Sequence, residues 1–105
     1  MKIKPGVNVA GLRPEMVLAL IAAQRVYGEH DTVPTITSAL DSKHGRGSLH
    51  FAGQALDLRT KDLPAGAAPV IFRQLADALG DQYDVLLEGF GTANEHIHVE
   101  FQPKG

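Results

Sequence analysis

Tyr83-Asp84-Val85-Leu86-Leu87-Glu88, a loop from Gly89 to Asn94, and then His96-Ile97-His98-Val99-Glu100-Phe101 form the stretch that decides the fold. Both runs are rich in β-branched, aromatic and other apolar residues, as strands are. Alternation in the second run puts His96 and His98 on one face and apolar residues on the other. The two runs therefore read as an antiparallel hairpin closed by the Gly89–Asn94 loop. Working back towards the N-terminus, Gln54 to Arg59 is extended, with Ala55 and Asp57 on one face and Leu56 and Leu58 on the other. Val33 to Ser38, β-branched, reads as a further strand. Two helices accompany these runs, one before Val33 and one between Arg59 and Tyr83. One opens at Leu12-Arg13-Pro14, with Pro14 in the first turn and Gly28 as its stop. Val17, Leu20 and Ile21, then Met16, Ala23 and Tyr27, give it a broad apolar face. The other runs near Pro69 to Leu79, with Ile71, Phe72, Leu75 and Leu79 at helical spacing and Gly80 as its cap. Glu29 to Thr32 and Asp41 to Gly47 read as polar loops. The expected class is α+β: a small, mainly antiparallel sheet with two main helices packed on one side.

At 105 residues the chain forms one domain, residues 1–105, with room for a single core. The apolar fraction of 44% is that of a globular protein. A formal net charge of −2 supplies no basic field for nucleic acid or an acidic membrane. Cysteine is absent, which excludes disulfides and thiolate metal sites. Met1-Lys2-Ile3-Lys4-Pro5-Gly6 is not followed by the apolar segment of a signal peptide, and no apolar run reaches membrane-spanning length.

Two short runs carry the chemistry. Ser48-Leu49-His50-Phe51-Ala52-Gly53-Gln54-Ala55-Leu56-Asp57 contains one imidazole and one carboxylate, separated by a glycine that permits a tight turn. Asn94-Glu95-His96-Ile97-His98-Val99-Glu100-Phe101 adds further imidazoles and a spare acid. Together they hold the inventory of a catalytic zinc site: three protein ligands, an open position for water and a general base. Each group also has a plainer reading. His50 can cap a turn, Asp57 can form a surface salt bridge, and His96 and His98 can belong to an ordinary half-exposed strand. Asp57 argues against the plain reading, because a carboxylate within Ala55-Leu56-Asp57-Leu58 needs a strong partner. His30 and His44 sit in polar loops and read as solvated bystanders.

The pattern Ser48-x-His50-x-x-Gly53-x-Ala55-x-Asp57, followed by Glu95-His96-Ile97-His98, resembles the D-Ala-D-Ala metallopeptidase family. That family comprises zinc D,D-carboxypeptidases, D,D-dipeptidases and the L-alanyl-D-glutamate endopeptidases of phage endolysins. It is related to lysostaphin-type peptidases and hedgehog domains, which also carry a His-x-His. The resemblance runs roughly from Val33 to Pro103. It implies a hedgehog-like, D,D-peptidase-like fold with His50, Asp57 and His98 as zinc ligands and Glu95, three residues before the last ligand, as the base. His96 would stabilise the oxyanion or share the base role. Glu88, at the end of the partner strand, is the second candidate base, since a regular strand turns Glu95 away from His98 and only a twist or bulge brings it back. Glu100 is either a hydrogen-bond partner for a ligand imidazole or a solvated strand residue. Ser48 would hydrogen-bond near the site.

One departure concerns substrate. Many relatives carry an Arg after the first strand that would hold a substrate carboxylate or the oxyanion. Here the run Thr37-Ser38-Ala39-Leu40-Asp41-Ser42 has Asp41 in its place, with Lys43 and Arg46 as substitutes. The resemblance thus implies a zinc-dependent hydrolase of amide bonds in peptidoglycan stem peptides, an endolysin-like endopeptidase of phage or prophage. D,D-carboxypeptidase activity is the alternative within the enzyme class. A zinc-containing module without catalysis, or a structural phage component, is the alternative outside it. The expected partner is the stem peptide, with neither nucleic acid nor membrane involved. A monomer is expected, made in the cytoplasm and acting on the wall after release.

Overall fold

The computed structural model describes residues 1–39 and 54–103. Among the described residues, five strands form one sheet in the order β1-β2-β3-β5-β4. They are β1 (Lys2–Ile3), β2 (Thr35–Ser38), β3 (Ala55–Arg59), β4 (Tyr83–Glu88) and β5 (His96–Phe101). Only the β1–β2 pairing is parallel; the other three are antiparallel. Helices α1 (Pro14–Gly28) and α2 (Ala67–Leu79) complete the α+β architecture expected from the sequence.

The β4–β5 hairpin has unbroken register from Tyr83 opposite Phe101 to Glu88 opposite His96. Its turn depends on glycine. Gly89 has φ +63°, and a Cβ there would lie 3.0 Å from the Asn94 carbonyl oxygen. β5 is flanked on its other side by β3, with Leu58 opposite Ile97, Asp57 opposite His98 and Leu56 opposite Val99. Strand alternation then sorts the side chains. Leu56, Leu58, Ile97 and Val99 are buried in the core with Ile36 of β2 and Val85 of β4. Each such side chain contributes about 1.5–3 kcal/mol of burial.

The helices cover that apolar face. Ile71 and Leu75 of α2 are wholly buried, and Phe72 and Leu79 pack against the core's edge. Proline is tolerated in a helix's first turn, so α2 begins at Ala67, two residues before Pro69. Helix α1 matches its sequence reading at Met16, Ala23 and Tyr27 and departs from it at Val17 and Ile21. It buries Met16, Ala19, Ala23, Val26 and Tyr27, while Val17, Leu18 and Ile21 are exposed. The helix is apolar nearly all round, so its periodicity does not single out a face. The small Ala19 and Ala23 allow close approach and decide which stripe turns inward. Gly28 is still helical, and the left-handed residue is Asp31, with φ +56°.

Two tyrosines tie the layers together. The buried Tyr27 hydroxyl donates to the Arg59 carbonyl at 3.0 Å, and burial raises its pKa. The Tyr83 hydroxyl donates to the Glu15 carbonyl at 2.8 Å. β1 has no sequence signature: it is two exposed residues, held by the Lys2 N–H donating to the Pro34 carbonyl and Lys4 N–H to Ile36.

Candidate metal centre

The face of the sheet opposite the apolar core carries the polar residues. Register sets them in rows: Arg59, His96 and Glu88 in one, Asp57, His98 and Leu86 in the next, Ala55, Glu100 and Asp84 in the third. The unbroken pairing of β3, β5 and β4 is what brings Asp57 next to His98 despite their separation in sequence.

His98 lies between two carboxylates. Its Nδ1–H donates to Asp57 Oδ1 at 2.9 Å and its Nε2–H to Glu100 Oε1 at 2.7 Å. Glu100 is itself oriented by the Gln102 side-chain amide, which donates to its other oxygen at 2.8 Å. The bond to Asp57, reinforced by Glu100 and opposed by burial, raises the His98 pKa to about 9. His96 has a comparable environment. Its Nδ1–H donates to the Asn94 carbonyl at 2.7 Å, and its Nε2 lies 2.9 Å from Glu88 Oε1 and 3.9 Å from Asp57 Oδ1. Burial lowers its pKa, but the Asn94 carbonyl, Asp57 and Glu88 outweigh burial and leave it raised.

Among the described residues, one ligand atom each from Asp57, Glu88 and His98 lie within 4.8 Å of one another. Two donors sharing a tetrahedral zinc sit roughly 3–4 Å apart, given bond lengths near 2.0–2.2 Å. The nitrogen and oxygen donors found here are of types that zinc takes. Asp57 and His98, two of the three residues that the family resemblance implies as ligands, are neighbours. The third, His50, lies outside the described residues, as do Ser48, Arg46 and Lys43, together with Asp41 and His44.

The two candidate bases are placed differently. Glu95 precedes the first residue of β5 and is held by a clasp. Thr60 Oγ1–H donates to its carboxylate at 2.6 Å, and the Gly91 N–H donates to the other oxygen at 2.9 Å. The Gly91 bond, followed by Thr60, lowers the Glu95 pKa. No bulge interrupts β5; the irregular register in the sheet falls between Ile36 and Ser38 of β2. Glu95 nevertheless lines the same cavity as Asp57 and His96. Glu88 is exposed and belongs to the group with Asp57 and His98.

The role of Thr60 was not legible in the sequence, because nothing in its spacing points to Glu95 across 35 residues. Glu100 had a signal in strand alternation, which puts it on the face of His98. His30 is not merely solvated: its Nε2 hydrogen-bonds the Gln74 side-chain oxygen Oε1 at 2.7 Å and links the end of α1 to α2. Among the described residues, no helix is long and apolar enough to cross a membrane. In comparisons with known protein families and with curated proteins, no match to this chain was found.

Proposed function

We propose that this chain is a zinc-dependent peptidase that hydrolyses amide bonds in bacterial peptidoglycan stem peptides, acting as an endolysin-like endopeptidase of phage or prophage origin. The observation that carries the reading is the pairing of Asp57 with His98 on adjacent strands, 2.9 Å apart, with Glu88 close by. In this reading His50, Asp57 and His98 hold the metal. The chemistry supplied by bound zinc is activation of a water whose pKa falls to about 7, and polarisation of the scissile carbonyl.

The chain's own residues divide the remaining work. With zinc bound, His98 would serve as a neutral imidazole ligand beside Asp57, releasing one ring proton to solvent. Glu100 keeps the Nε2–H bond, which fixes the ring and strengthens it as a donor. Glu95 accepts the proton of the attacking water and delivers it to the departing amine. Thr60 and Gly91 hold its carboxylate in one orientation and keep it ionised. His96, whose Nδ1–H is anchored on the Asn94 carbonyl, presents Nε2 to the oxyanion that develops on the substrate. Glu88 is the competing base, favoured by its proximity to Asp57 and His98 and by its 2.9 Å contact with His96.

Incubation of the purified chain with peptidoglycan, with and without chelator, tests the reading. Expected are peptide fragments with new amino termini, absent after chelation and restored by zinc. An intact wall under zinc-replete conditions would refute the peptidase, and stoichiometric zinc without cleavage would favour a non-catalytic module.

A further inference from the structure

A cavity of about 270 Å³ adjoins the site. Among its lining residues are Asp57 and His96, together with three cations, Lys4, Arg59 and Lys61. That concentration of positive charge stands out in a chain of net charge −2. The two carboxylates that line the cavity, Asp57 and Glu95, offset the three cations only in part. Asp57 is engaged with His98, and Glu95 with Thr60 and Gly91.

Each cation is placed by backbone structure. Arg59 is in register with His96, on the open face of β3. Lys61 follows Thr60, whose hydroxyl anchors Glu95. Lys4 continues from β1, and its N–H is fixed on the Ile36 carbonyl at 2.9 Å. Arg59 contacts Asp62 at 3.6 Å, but the Asp62 side chain is 64% exposed, so this pair is solvent-screened and readily exchanged. Among the described residues, Lys4 and Lys61 form no ion pair.

We infer that this cavity is a subsite for a free carboxylate of the peptide substrate, with Arg59 and Lys61 as its principal contacts and Lys4 at its rim. The inference rests on the peptidase reading and names the class of substrate: an acidic peptide with a carboxylate next to the bond to be cut. Size supports one residue as the occupant, because pockets for larger organic ligands run from roughly 300 to 1,000 Å³. Arginine supplies a planar pair of N–H donors that matches a carboxylate, and Lys61 adds a point charge. Binding there would lay the neighbouring peptide bond against Asp57, His96 and Glu95, which line the same space. The three cations come from β3, from the turn after it and from the segment after β1, so they owe nothing to Lys43 or Arg46.

The test uses the zinc-loaded chain and two probes: an alanyl-glutamyl stem peptide with free carboxylates, and the same peptide with them amidated. Calorimetric titration should show the acid form binding about tenfold or more tightly, the scale of one charge-assisted hydrogen bond. In Arg59→Gln/Lys61→Gln the preference should fall below about twofold, with zinc content and circular dichroism unchanged. Equal binding of the two forms, no binding of either, or a preference that survives the double substitution would overturn the subsite. Inorganic phosphate that binds as tightly as the acid peptide would reduce it to a general anion site and also overturn the assignment. Cleavage of intact peptidoglycan is measured separately. Cleavage without acid preference defeats the subsite alone, and acid preference without cleavage defeats the peptidase reading alone.

Discussion

The two faces of β3 and β5 use the same backbone for opposite purposes. On one face Leu56, Leu58, Ile97 and Val99 are each 1% exposed or less. On the other, Asp57, His98 and Glu100 are only partly buried and bonded to one another. The apolar face is held by area removed from water, which is tolerant of detail. The polar face is held by pairwise geometry, in which every donor needs its own acceptor. A single residue step along the strand passes from one regime to the other, so neighbouring substitutions should have unrelated consequences.

The largest effect is expected at the base. Glu95→Gln should retain fold and zinc yet lose wall cleavage by about 10²- to 10⁴-fold, the range of a removed general base. If Glu95→Gln remains active while Glu88→Gln is dead, the base is the member of the polar face rather than the residue held at its rim. Next comes the apolar face. Leu58→Ala should cost about 2–5 kcal/mol in urea unfolding, whereas the adjacent Asp57→Asn should abolish zinc retention with a smaller loss of metal-free stability. Equal losses from the two would erase the distinction between the faces. Third, Glu100→Gln should weaken zinc affinity by about 10- to 100-fold, as loss of a ligand's outer hydrogen-bond partner does; a competition titration with a coloured chelator reads this.

Protonation sharpens the comparison further. In metal-free protein the folded pKa of His98 is raised to about 9 from 6.5. Its contribution is therefore complete below pH 6.5 and lost as pH rises through about 9. Glu95 acts oppositely: with a lowered pKa, it stabilises above the ordinary carboxylate value and ceases to do so as acid protonates it. The urea midpoint of chelator-treated protein should fall on both sides of neutrality, and His98→Gln should flatten the alkaline limb. The smallest effect is expected on the outer side of α1. Ile21→Lys, at a site 62% exposed, should shift stability by no more than about 0.5 kcal/mol. A larger loss, read by thermal unfolding, would mean that the helix also buries Val17 and Ile21.

What could be read in advance follows from the same contrast. Alternation made the β4–β5 hairpin and the polar face of β5 legible, because a period of two leaves no choice once one face is buried. The antiparallel α+β class followed from it. Helix α1 was harder: Val17, Leu18 and Ile21 are as apolar as the residues that face the sheet, so the choice was made by packing of Ala19 and Ala23. The Asp57–His98 contact was legible only through family resemblance, since spacing within one strand says nothing about which strand lies beside it. The Thr60–Glu95 clasp had no signal at all, being a side-chain bond between a loop and a strand entrance. Lys4 belonged to a segment without periodicity, and its position beside the site came from the β1–β2 pairing.

The order of the strands also sets an order of assembly. Glu88, His96, His98 and Glu100 all belong to one hairpin, whose ends meet across a short loop and close at small entropic cost. Asp57 must come from a strand on the far side of α2, 41 residues from His98. Non-local pairing of this kind is the slow part of folding. Half of the polar face can therefore exist while the sheet is incomplete, and the other half arrives only when β3 docks against β5. Time-resolved signals from the two halves would separate, with Asp57 joining His98 only as the topology closes.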